Sequence, residues 1–218
     1  MTLAHRQAER AAADPDGGVD TLGQILTEMK ADESHYGFDQ SVARRAASAD
    51  EGLEILKEIA QGGTQSSEEF LEHFNRLLTT LHSGGLRRGN SGVTKDRATF
   101  TKSVRSILVF DDQAPAAMFD HLLARFRSVN RAGINLLTEI LQLLDYKRYA
   151  VMNQNSVAGL KLAGHLNFPD MPSKQNMTGA MYADFCQKAD SVRAGLGLAD
   201  FSQLDALFNY AYWRREDD

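Results

Sequence analysis

Apolar residues recur three and four positions apart along most of the chain. The series runs Leu22, Ile25, Leu26, Met29, then Leu53, Leu56, Ala60, and then Phe70, Phe74, Leu77, Leu78, Leu81. It resumes with Phe100, Val104, Ile107, Leu108, followed by Phe119, Leu122, Leu123, Phe126 and by Leu136, Leu137, Ile140, Leu141, Leu144. Tyr182, Phe185, Ala189, Val192 and finally Leu204, Leu207, Phe208, Ala211 complete it. This spacing puts an apolar stripe on one face of a helix, and it predicts an all-α, multi-helix globular fold with little or no sheet. Start signals agree in phase: Ser66 with Glu69 and Asp200 with Gln203 form capping boxes that satisfy otherwise unpaired first-turn amides. Alternating patterns are confined to Ser106 to Phe110 and Tyr149 to Met152, short enough to be helix ends or loop entries. Residues 82–96 hold four glycines without periodicity and are expected to form a mobile loop; the two prolines of 167–173 predict another. The expected organisation is a helical subdomain over 1–83, a Gly-rich loop over 84–98 and a second helical subdomain over 99–218.

Composition narrows the class. The 218 residues are 43% hydrophobic and 24% charged, and the lone Cys186 excludes both a disulfide framework and a cysteine-based zinc site. No apolar run reaches the roughly 18 residues of a membrane span, and the N-terminus has no apolar signal core, so the expectation is a cytoplasmic protein without a membrane partner. A net charge of −5 argues against nucleic acid until it is divided along the chain. Residues 1–83 carry 7 basic and 15 acidic side chains, whereas 84–131 carry 9 basic and 4 acidic ones. A polyanion responds to the local field within a screening length of about 10 Å, so the second stretch matters more than the total.

Most catalytic signatures are missing. There is no Gly-rich phosphate loop ending in Lys-Ser/Thr, no G-x-S-x-G elbow and no H-E-x-x-H. None of the six histidines pairs with another at helical spacing, so neither a metal nor a cofactor is expected. Asp16 with Glu28 and Lys30 imitates a nuclease pattern, yet Glu28 and Lys30 flank Met29 on an amphipathic helix rather than on adjacent strands. Cys186 reads as a core thiol.

Ser128 to Leu141 (SVNRAGINLLTEIL) resembles a helix-hairpin-helix element, with Gly133, Ile134 and Asn135 in the turn, Thr138 at the small polar place, and Ile140 and Leu141 in packing positions. Gly or Asn takes positive φ at low cost, and amides at the start of the second helix can receive a DNA phosphate. Downstream, Tyr149 to Val157 resembles the segment of helix-hairpin-helix DNA glycosylases that holds their catalytic Asp, with Asn153 standing at that place. An amide is no base and carries no charge, so the resemblance implies binding without base excision. Over about residues 95 to 213 the pattern is similar to a helical module of prokaryotic restriction and anti-phage proteins, including McrB-type modification-dependent systems. It departs from the glycosylase form at Arg131-Ala132, where Leu-Pro is common, and at Asn135, where a second Gly is usual.

The resulting expectation is a non-enzymatic DNA-binding, target-recognition module of a bacterial restriction or phage-defence system. Its partners would be plain or modified duplex DNA and a motor or nuclease located elsewhere. Arg87, Arg88, Lys95 and Arg97 would make phosphate contacts from the loop, and Lys102, Arg105, Arg125, Arg127 and Arg131 would add charge. Gly133, Ile134 and Asn135 would present amides, with Thr138 beside them; Asn153 and Asn155 would line the former catalytic pocket and hydrogen-bond a base. Tyr146, Tyr149, Tyr210, Tyr212 and Trp213 are stacking candidates or core residues. Two alternatives stand: a helical protein-interaction or oligomerisation module built on the acidic first 83 residues, and an active glycosylase or lyase with relocated catalytic groups.

Overall fold

The computed structural model describes residues 17–62, 66–83, 86 and 90–214, and among these it contains ten α-helices and no strand. In chain order they are α1 (Gly17–Ala31), α2 (Phe38–Gln61), α3 (Ser67–Thr80), α4 (Asn90–Lys95) and α5 (Arg97–Leu108). They continue with α6 (Pro115–Phe126), α7 (Ile134–Leu144), α8 (Gln154–Leu162), α9 (Gly179–Gly195) and α10 (Phe201–Trp213). The all-helical expectation therefore holds. Ser106 to Phe110 is the end of α5 and its exit, and Tyr149 to Met152 is the connection between α7 and α8.

The 24-residue α2, about 36 Å long at 1.5 Å per residue, is the spine. It packs against α1, α3, α5, α7 and α10, while α6 lies against α5, α7 and α9. One hydrophobic core runs from Leu22 to Ala211, so helices before and after the Gly-rich stretch bury their stripes together. Its aromatic centre is built from three helices, α3, α5 and α6. Phe100 meets Phe70 and Phe74 edge-on and stacks on Phe126 at 5.1 Å between ring centres, a geometry favoured over face-to-face overlap.

Local chemistry sets the helix boundaries. Ser66 and Glu69 form the expected reciprocal cap of α3. Asp200 accepts the Ser202 and Gln203 amides at the start of α10, whereas Gln203 reaches back to the Ala199 amide, one residue short of a closed box. Pro115 opens α6 at a position whose amide needs no partner. Residues 167–173 are non-helical as expected. Phe168 anchors that segment in the core, and Lys161 and Asp170 pair beside it. Residues 90–95 depart from the expectation of a loop up to Asp96, because they form α4. Val93 is buried, and the absence of a side chain at Gly92 brings α4 against Arg131, where a Cβ would lie 2.7 Å from the Arg131 Cγ.

Candidate nucleic-acid interface

The basic residues are organised by α5. Lys95, Arg97, Lys102 and Arg105 line a groove of about 350 Å³ together with Gly62, Thr99, Thr101 and the buried ring of Phe70. Among the described residues Asp96 is the only acidic one of that lining. It occupies the N-cap position of α5 without capping it, because its Oδ2 instead accepts the Asn130 amide at 2.7 Å. The Asp96 carboxylate keeps its charge but is oriented toward the neighbouring turn, and the first amides of α5 have no side-chain cap. Arg105 has a structural task as well. Its Nε and Nη2 both donate to the Ala60 carbonyl, at 2.8 and 2.6 Å, closing the C-terminal end of α2.

The turn from α6 to α7 lies beside this groove, joined by the Asp96 to Asn130 bond and by the contact of Gly92 with the Arg131 stem. Its geometry corrects the hairpin expectation. The left-handed residue is Arg131, with φ of 64°, whereas Gly133 is extended at φ −83° and Asn135 lies in the first turn of α7. A Cβ on Gly133 would meet nothing within 4 Å, so the turn does not require glycine there. The Gly133 amide donates to the Arg131 carbonyl at 3.1 Å and is not free for a phosphate. Ile134 opens α7 with its side chain buried, and Gly133 supplies no side-chain cap. Arg125 and Arg127 are exposed around the end of α6 and do not line the groove; Arg125 Nη1 donates to the His121 carbonyl of its own helix. Arg87 and Arg88 lie outside the described residues.

A lysine that the sequence reading passed over completes the turn. Lys174 Nζ donates to the Phe126 and Val129 carbonyls at 3.0 and 2.9 Å, neutralising the C-terminal end of α6. Burial lowers its pKa and the Asp96 charge opposes that shift.

The remaining resemblance residues are structural in their contacts. Thr138 is fully buried; its Oγ1 donates to the Ile134 carbonyl and accepts the Met152 amide, both at 2.9 Å, so its hydroxyl is committed within the fold. Asn153 caps α8: Oδ1 accepts the Ser156 amide and Nδ2 donates to Ser83 Oγ, each at 2.9 Å. Both ends of the amide are engaged and the residue is buried, which corrects the expectation that it lines an open pocket. Asn155 donates to Asn209 Oδ1 at 3.0 Å, tying α8 to α10. Among the aromatic candidates, Tyr149 is core and donates to the Gln113 carbonyl, while Tyr146 and Trp213 are exposed. Cys186 is buried between helices, and burial pushes its thiol up to about 11, the behaviour of a core residue.

A second polar centre was not read from the sequence. Arg45 of α2 and Asp205 of α10 form a buried ion pair at 2.9 Å. Beside it, Glu139 Oε1 accepts the Ser83 and His82 amides at 2.6 and 3.2 Å. The available signal was one acid in the apolar helix Ile134 to Leu144, adjacent in sequence to the buried Thr138.

Among the described residues no group of three or more His, Cys, Asp or Glu is placed to hold a metal ion, and no helix is long and apolar enough to cross a membrane. Compared with known protein families, curated proteins and solved structures, the chain matches none of them.

Proposed function

We propose that this protein binds duplex DNA through its phosphodiester backbone, without catalysing a reaction on it. The observation that carries this reading is the groove along α5. Among the described residues four cationic side chains line it against one acid, Asp96, which is held by the Asn130 amide. Lys95 and Lys102 are exposed there, while Arg105 contributes charge from a fixed position. Such contacts position a duplex without reading its sequence. The helix-turn-helix of α6 and α7 is the helix-hairpin-helix-like element of this proposal, bordering the groove through Asn130 and Arg131. Work as the target-recognition part of a restriction or phage-defence system, with the motor or nuclease elsewhere, is the role that the resemblance of residues 95 to 213 adds.

The test is fluorescence anisotropy with a 20-base-pair duplex, plain and cytosine-modified, across a salt series. Log K is expected to fall linearly with log salt at a slope of about −0.9 per phosphate neutralised. Reversing Lys95 and Lys102 to Glu should weaken binding about tenfold or more for every sequence and flatten the slope. No binding to either duplex at low salt overturns the proposal, and unchanged affinity in the double variant removes the groove from it. Strand scission after alkaline treatment of a lesion-containing duplex would instead favour the glycosylase alternative.

A further inference from the structure

Arg105 belongs to two recesses at once. Besides the basic groove it lines a second recess of about 370 Å³, formed with Lys57, Ala60 and Gln61 of α2 and with Leu108 and Val109. Lys102, Arg105 and Val109 stand three and four residues apart, so one face of α5 and its C-cap carries the surface from charge to hydrocarbon. Each recess falls within the roughly 300 to 1,000 Å³ usual for small-ligand sites.

The two halves differ in chemistry. On one side stand Lys95, Arg97, Lys102 and the exposed Thr99, and neither lysine makes an ion pair with any acid among the described residues. On the other side Lys57 is paired with Glu54 at 2.7 Å, so the shelf offers hydrocarbon from Leu108 and from Val109, which is 74% exposed, with the Gln61 amide beside them. Between the halves, the Arg105 guanidinium is held by its two bonds to the Ala60 carbonyl. A side chain fixed in this way loses little rotamer freedom on binding, and its plane is a favoured stacking partner for a flat ring. The acids nearest in sequence to the apolar end are Asp111 and Asp112, both exposed, and their charges disfavour an anion there.

We propose that this surface binds one unpaired nucleotide. The phosphate lies against Lys95 and Lys102, the base packs on Leu108 and Val109 beside the Arg105 plane, and the Gln61 amide pairs with the base edge. Duplex phosphates need only the charged half, whereas the apolar half suits a base that is not stacked inside a helix. The nucleotide is a free one or the single-stranded end of a DNA; the second source rests on the DNA-binding reading and the first does not.

Isothermal titration with dAMP, deoxyribose 5-phosphate and deoxyadenosine separates the two halves. dAMP should bind saturably at one site, about fivefold or more tighter than the sugar phosphate, which lacks the base, and about tenfold or more tighter than the nucleoside, which lacks the phosphate. Val109→Ser, at an exposed position, should weaken dAMP about threefold or more and leave the sugar phosphate unchanged. Lys102→Ala should weaken both. In fluorescence anisotropy, a hairpin duplex with a short 5′ overhang should bind more tightly than its blunt counterpart, and Val109→Ser should remove that advantage while blunt-duplex affinity and the circular dichroism spectrum stay at wild-type values. A base advantage seen with dAMP alone assigns the site to a free nucleotide, and one seen with the overhang alone assigns it to a strand end. If the base adds nothing in either assay, or if Val109→Ser leaves its advantage intact, the proposal is overturned. A blunt hairpin that fails to bind while dAMP binds defeats only the DNA-binding reading.

Discussion

Replacing Glu139 by Gln should stabilise the protein, and more so at alkaline pH. The carboxyl titrates near 7 in the folded protein against an ordinary 4.5, because burial and the Asp205 charge disfavour its ionised form. The folded state thus holds this proton more tightly than the unfolded state does. The associated stability is present below pH 4.5 and is lost as pH rises through 7. At about 1.4 kcal/mol per pKa unit, the loss between pH 5 and pH 8 comes to roughly 2 to 3 kcal/mol. Gln stays neutral throughout and retains an oxygen for the His82 and Ser83 amides. Glu139→Gln should therefore gain roughly 2 to 3 kcal/mol more at pH 8 than at pH 5, about 5 to 10 °C in Tm for a chain of this size. Urea denaturation of both proteins at the two pH values measures this directly, and titrating groups remote from Glu139 cancel in the difference. An equal effect at pH 5 and pH 8 would refute the burial argument. A variant that loses stability specifically at pH 8 would show that Arg45 holds the carboxylate ionised.

Three further expectations test the packing directly. Gly133→Ala should change stability by less than about 1 kcal/mol, because its φ is ordinary and its Cβ meets open space. Gly179→Ala should cost about 2 kcal/mol or more, since the new Cβ would lie 2.3 Å from the Ala116 carbonyl and 2.4 Å from Asp120 Oδ2; thermal melts that rank the pair the other way would be decisive against this geometry. Arg45→Met should cost about 3 to 5 kcal/mol by stranding the buried Asp205 carboxylate, and the double change with Asp205→Leu should recover most of it. A double variant no more stable than Arg45→Met in chemical denaturation would show that packing, not charge, sets that cost.

The helices were legible because their apolar stripes are wide and their caps local: Ser66 and Asp200 each act within three residues. α4 was not, since six residues carry too few turns for a period to emerge, and its one deep anchor is Val93. The α6 to α7 segment was legible as two helices and a turn, but the backbone of that turn was not. Glycine preference pointed to Gly133, whereas the left-handed residue is fixed by tertiary contacts, with Asn130 bound to Asp96 and the Arg131 stem against Gly92. The buried polar centre was illegible for a related reason. Arg45 and Asp205 are 160 residues apart, so nothing local announces their pairing, and Glu139 with Gln142 reads as a polar interruption of an apolar helix.

Contacts also decide which variants can report on DNA binding. Thr138 and Asn153, the residues the resemblance places nearest to chemistry, each hold a buried amide and a second partner. Removing either leaves a backbone donor unpaired, at about 1 to 3 kcal/mol, so a loss of DNA affinity in such a variant would follow from local unfolding as readily as from a lost contact. Arg105 is confounded in the same way by its grip on the Ala60 carbonyl. Lys95 and Lys102 are exposed and have neither burden, and surface substitutions of that kind stay within about 0.5 kcal/mol. A fall in affinity in their charge-reversal variant, with the urea midpoint unchanged, is thus the result that separates an electrostatic interface from a fold whose basic residues merely tie helices together.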